Sequence, residues 1–153
     1  MPVVVETPQS LKDLLGREIA APEWFAVTQE RIQRFADVIE DQQWIHVDRE
    51  RAQCESPYKN TVAHGFLVLS LLSRSMRQAI QIRSGLRMGV NYGFNRVRFP
   101  SPVLADSKIR AHFTLRSLRE LPDALEAIFD TKIETEGGDK SCCVAEWVVR
   151  YYR

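Results

Sequence analysis

The sequence predicts an α+β fold, with helices first and then a long antiparallel sheet wrapped around one buried helix. Three observations lead there. Helical periodicity is confined to the first half of the chain, the segment from Gly65 to about Ile82 is apolar on every side, and period-2 alternation takes over after Gly89. At 153 residues the chain fits one domain spanning 1–153, long enough to bury a real core and too short for two ordinary domains.

The first helix opens at Thr28, whose hydroxyl can cap it, and Ile32, Phe35, Ala36 and Ile39 recur on one face. It ends near Glu40-Asp41, where polar residues take over. Asp48 reads as the cap of a short helix over Arg49 to Cys54, and Ser56 to Asn60 reads as a loop. From Gly65 onward, Phe66, Leu67, Val68, Leu69, Leu71 and Leu72 occupy every side of a helical wheel, which implies burial on most faces. A short buried strand is the competing reading, but the pattern continues through Met76, Ala79 and Ile80 and favours a helix. Further on, Ile109, Ala111, Phe113 and Leu115 alternate with polar residues, as do Leu125, Ala127, Phe129 and Ile133. Cys143, Ala145, Trp147, Val149 and Tyr151 share one face of a last strand. Leu121-Pro122-Asp123 and Glu136-Gly137-Gly138-Asp139 are turn signals between these strands, which predicts an antiparallel meander.

Composition narrows the function classes. Hydrophobic residues make up 44% and charged residues 27%, and 21 Lys+Arg against 20 Asp+Glu leave a formal net charge of +1. That balance points to no nucleic-acid or membrane-surface partner, although a local basic patch can still hold a phosphorylated ligand. The longest apolar stretch, Phe66 to Leu72, contains Ser70 and is far too short to cross a bilayer. The opening residues Met1 to Glu6 lack a basic region and a full apolar run, so no secretory signal is expected and the cytoplasm is the expected location. Three cysteines are an odd number, and adjacent Cys142 and Cys143 have no spaced partners to complete a zinc site. They read as small apolar side chains in a reducing compartment.

Only three histidines occur, so each can be weighed. His112 falls on the polar face of a strand and reads as a solvated side chain. Asp41 and His46 are five positions apart across a non-helical turn that follows a helix, and such a turn can aim both side chains into one cleft. A carboxylate and an imidazole sharing one water can deliver its hydroxyl and move its proton. The plain alternative is that Asp41 caps the turn and His46 makes an ordinary hydrogen bond, and spacing alone does not decide between them. A metal site built on His46 and Asp48 lacks an evident third ligand. His64-Gly65 precedes the apolar helix. A glycine there leaves its N–H free at the positive end of the helix dipole, where it can polarise a carbonyl oxygen or merely permit a tight turn.

Taken together, these residues resemble the MaoC-like dehydratase family, which includes the (R)-specific enoyl-CoA hydratases and the nodulation protein N group. The family motif runs roughly Gly-Asp-x-Asn-Pro-(aliphatic)-His-x-Asp, and this chain has Glu40-Asp41-Gln42-Gln43-Trp44-Ile45-His46-Val47-Asp48. Ala63-His64-Gly65-Phe66-Leu67, with Ser70 and Ser73 downstream, is similar to the family's Ala-His-Gly helix start. Asn91 to Val103, containing Arg96, Arg98, Phe99 and Pro102-Val103, is similar to its Arg-Phe-x-x-Pro-Val strand. The resemblance runs from about Phe35 to the last strand, and three blocks in order are specific where one alone is not.

The resemblance implies a hot-dog fold in a dimer or larger homo-oligomer. It implies hydration of trans-2-enoyl thioesters to 3-hydroxyacyl thioesters, or the reverse dehydration. The catalytic pair falls on Asp41 and His46. The oxyanion donor falls on the Gly65 N–H, and a site-lining serine falls on Ser73. His64 and Arg98 join the expected substrate-binding set, Arg98 (with Arg96) as a candidate for coenzyme A phosphates. No metal or redox cofactor is expected, and the partner is an acyl-CoA or acyl-carrier thioester. A thioesterase on the same fold and a non-catalytic acyl-thioester-binding module are the rival readings. Two departures stand out. Gln43-Trp44 replaces Asn-Pro, and Glu40 occupies the family's glycine position, where a positive φ would strain a side-chain-bearing residue.

Overall fold

The computed structural model describes residues 1–153. Its core is a sheet holding the strands β2 (Glu18–Ala20), β3 (Phe25–Val27), β5 (Met88–Arg98), β6 (Ser107–Glu120), β7 (Ala124–Thr135) and β8 (Ser141–Tyr152). The order is β2-β6-β7-β8-β5, with β3 also on β6, and every pairing in it is antiparallel. The expected meander is present as β6-β7-β8. β5 precedes that meander in the chain but pairs with its last strand, Met88 opposite Tyr152, and so forms an edge of the sheet.

The helices are α1 (Gln29–Ile39), α2 (Trp44–Val47), α3 (Arg49–Glu55) and α4 (Gly65–Ala79). Both sequence-assigned caps are made. Thr28 accepts from the Arg31 N–H at 3.2 Å and Asp48 from the Arg51 N–H at 2.9 Å, each satisfying a donor the helix start leaves free. The chain continues from α4 directly into β4 (Ile80–Ile82), which pairs in parallel with β1 (Val3–Val5). The expected helix through Ile82 therefore ends three residues sooner. Ile80 and Ile82 are β-branched and serve a two-stranded ladder instead. β1, β2, β3 and a 3-10 helix over Pro8–Leu14 carry no periodic signal, because three-residue strands are too short to show one.

The inward rows of the long strands meet the buried side of α4. Phe113, Phe129, Leu115 and Ile133 are at most 2% exposed and pack in one cluster with Leu67, Val68, Leu72 and Met76. Each such side chain contributes roughly 2 kcal/mol by leaving water. The expectation that α4 is buried on most faces needs correction. Phe66, Ser70, Ser73 and Arg77 form a continuous exposed stripe, and Phe66 is 72% exposed. The apolar Phe66 at the head of that stripe misled the helical wheel, because in this single chain nothing covers it.

Three other side chains differ from expectation or refine it. His112 is not freely solvated, since its ring lies between the carboxylates of Glu18 and Glu134, 3.1 and 2.8 Å from its two nitrogens. Cys142 and Cys143 are unpaired and buried, and burial pushes the Cys143 thiol up to about 12. No helix is long and apolar enough to cross a membrane.

Candidate active site

Asp41 owes its position to the way α1 stops. Glu40 turns into the left-handed region at φ 59°, and the N–H groups of both Glu40 and Asp41 close onto the Ala36 carbonyl. A helix end of this kind is usually made with glycine, so the strain foreseen at Glu40 is real. The chain then reverses. Asp41 accepts from the Gln43 N–H at 3.3 Å, and α2 begins at the next residue. The non-helical turn expected between Asp41 and His46 is therefore partly a single helical turn that carries His46. The Gln29 side chain fixes α2 from α1, donating to the His46 carbonyl at 2.8 Å while accepting from the Thr61 hydroxyl.

His46 is 7% exposed, and its Nδ1 lies 2.6 Å from the Val62 carbonyl oxygen. A carbonyl only accepts, so Nδ1 carries the hydrogen and Nε2 of the neutral ring keeps its lone pair. Burial lowers the His46 pKa, the neighbouring His64 lowers it further, and the Val62 carbonyl and Asp41 oppose the shift in part. The net effect favours the neutral, proton-accepting ring.

His64 joins the pair directly. Its ring stacks on His46 with centroids 3.7 Å apart and planes 23° from parallel, and Phe35 packs against it at 5.2 Å. His64 Nε2 lies 3.2 Å from the Asp41 carbonyl oxygen and 3.9 Å from the Asp41 carboxylate. One ligand atom from each of Asp41, His46 and His64 falls within 4.8 Å of the others. The donor set suits a metal poorly. Nearly parallel rings send their in-plane lone pairs side by side instead of to one point, and His46 Nδ1 is committed to Val62. The arrangement suits proton handling. Asp41 is half exposed at 47%, and two acceptors this close can share one water.

Gly65 is the first residue of α4, so its N–H has no partner within the helix. The Phe99 ring lies against it, and a Cβ would meet that ring at 3.1 Å, which gives the glycine a packing reason as well. Ser73 is not brought to the pair. It lies eight residues along α4 from Gly65, a rise of about 12 Å, on the exposed stripe. There it helps line a cleft of about 670 Å³ with Met76, Ile80, Ile82, Trp147 and Tyr151. A smaller hollow between Phe66 and Ser73 shares Ser73, Asn91 and Trp147 with its lining. Arg98 is exposed and donates only to the Val97 carbonyl, while Arg96 lines a separate surface cleft with Arg116 and Glu146. Neither touches Asp41 or His46. Val62, Gln29 and Thr61, which hold the site together, were missed by the sequence. Val62 acts through its backbone, which has no side-chain signature.

Residues 10–136 match the MaoC like domain family. The chain belongs to the MaoC-like dehydratase family. The 3-hydroxyacyl-thioester dehydratase Z of Mycobacterium tuberculosis (strain ATCC 25618 / H37Rv) is 41% identical over 151 residues, covering 96% of this chain and 99% of the relative. Nodulation protein N of Rhizobium meliloti (strain 1021) is 37% identical over 139 residues, 90% of this chain and 86% of the relative. Among solved structures, the monoamine oxidase regulatory protein from Archaeoglobus fulgius superposes with a TM-score of 0.78 at 20% identity, covering 100% of this chain and 98% of that one. The (R)-hydratase from A. caviae involved in PHA biosynthesis gives 0.72 at 24% identity, covering 88% and 94%. The likeness to these structures is one of fold, and the sheet around α4 is the hot-dog arrangement of this MaoC-like family.

Proposed function

We propose that this MaoC-like protein adds water to trans-2-enoyl thioesters and removes it from 3-hydroxyacyl thioesters, with Asp41 and His46 handling the proton. The observation that carries this reading is the His46 ring, held by Val62 with Nε2 bare and the Asp41 carboxylate close by. The relative named as a 3-hydroxyacyl-thioester dehydratase supports the reaction class.

In the hydration direction, Asp41 accepts a hydrogen bond from the water and orients it. His46 Nε2 takes its other proton while the oxygen bonds to the β-carbon. The π pair moves to the α-carbon and the thioester oxygen, which the Gly65 N–H receives at the positive end of α4. His46 then returns the proton to the α-carbon. Water is consumed whole, so the step needs no redox partner.

The same reading takes a homodimer as the working form. β5 is an edge strand that exposes the apolar patch Met88, Val90 and Tyr92, and Phe66 is exposed at the start of α4. A second copy pairing along β5 would cover both the strand edge and the apolar patch. The free buried cysteines fit a reducing compartment, and the cytoplasm is proposed as its setting.

Crotonyl-CoA tests the reaction when loss of its enoyl absorbance is followed beside release of free thiol. Hydration without thiol release is expected. Thiol release without hydration would make the protein a thioesterase, and binding with neither would make it a carrier module.

A further inference from the structure

We propose that His64, which the family's general features leave as one residue beside the oxyanion glycine, is a positioning residue for the Asp41–His46 pair. This inference rests on the proton-handling role proposed for that pair. His64 is 3% exposed and reaches the chemistry only through its two neighbours, so it offers almost no surface to a ligand.

Its contacts give it two tasks. The Asp41 carbonyl oxygen can only accept, so the hydrogen on His64 sits at Nε2 and holds Asp41 from behind its backbone. That contact braces a turn that Glu40 enters through a left-handed conformation. The flat face of the same ring lies 3.7 Å from His46, limiting the tilt of the imidazole whose Nε2 faces the water. With Nε2 protonated, His64 Nδ1 is left as a bare acceptor, and it is buried with no hydrogen-bond partner.

A residue kept only for packing fits these facts badly. Phe35 already supplies an aromatic contact, and a phenyl ring at position 64 would fill the space without burying an unpaired nitrogen. The neutral ring with hydrogen on Nε2 satisfies Asp41 and leaves His46 free to accept.

The test compares His64→Phe, which keeps a ring in the stack, with His64→Gln, whose amide can still donate to Asp41. The groups facing His46 are Asp41, His64 and the Val62 carbonyl. Because His64 stacks on His46 at 3.7 Å, replacing it should move the His46 titration read by NMR in both variants. For His64→Phe on crotonyl-CoA, kcat should fall on the order of 10- to 100-fold from misplacement of Asp41. KM should stay within about twofold, because no substrate contact is lost. His64→Gln should recover part of kcat. A folded His64→Phe with wild-type kcat and unmoved His46 titration overturns the proposal. If His64→Phe does not fold, a wild-type kcat and titration in His64→Gln overturn it instead. Activity that survives Asp41→Asn and His46→Gln would refute the pair itself. A His46 titration still moved by His64 would then separate the two failures, since it is read without turnover.

Discussion

Glu40 shows how one residue can strain a turn without entering its chemistry. Its φ of 59° sets the direction of Asp41, yet its side chain is exposed. Left-handed backbone costs a non-glycine residue about 1 kcal/mol, and glycine gives back about half of that gain as chain entropy in the unfolded state. Glu40→Gly should therefore raise Tm by about 1–3 °C, while Glu40→Gln should leave Tm and the pH profile unchanged. Differential scanning calorimetry and a kcat/KM profile check both. His46 gives a pH dependence of definite sign. Its pKa in the folded protein lies below the ordinary 6.5, so the unfolded chain binds more protons between the two values. The stability contributed by neutral His46 should be whole above pH 6.5 and decline as pH falls through that window. The acid limb of kcat/KM should likewise lie below 6.5, and histidine NMR read beside urea melts at several pH values follows both effects.

At the scale of elements, α1, α3 and the β6-β7-β8 meander were legible because each is long or carries a side-chain cap. Ile32 and Ala36 are fully buried, as the 3.6-residue period requires, and Thr28 and Asp48 make the bonds their chemistry suggests. β1 to β4 were not legible, since three residues give no period. The pair Asp41 and His46 was legible as residue types at a spacing. The tautomer of His46 was not, because it depends on the Val62 carbonyl across sixteen positions of sequence. α4 makes the limit clearest. Leu69 and Leu72 look alike in sequence, but Leu72 is 1% exposed while Leu69 is half-buried beside the outer stripe. Leu72→Ala should cost about 2–5 kcal/mol and Leu69→Ala clearly less, measured by chemical denaturation. Equal costs would mean that α4 is embedded on both sides.

For the whole molecule, the exposed stripe of α4 and the edge of β5 lie on the same side as the cleft holding Ser73 and Trp147. In the homodimer proposed above, a second copy covers this side, and Phe66 reads as core in sequence for that reason. Val90→Lys with Phe66→Lys should shift sedimentation from dimer to monomer, and an unchanged dimer would move the interface elsewhere. The central claim concerns the pair, and it is tested most directly by the turnover of crotonyl-CoA in Asp41→Asn, His46→Gln and the double variant. In the proposed mechanism both groups act on one water, so each single change should lower kcat by on the order of 10²–10⁴-fold. The double variant should be little worse than either, since groups acting as a unit are not additive. Full activity in either single variant, with the fold intact, would contradict the account.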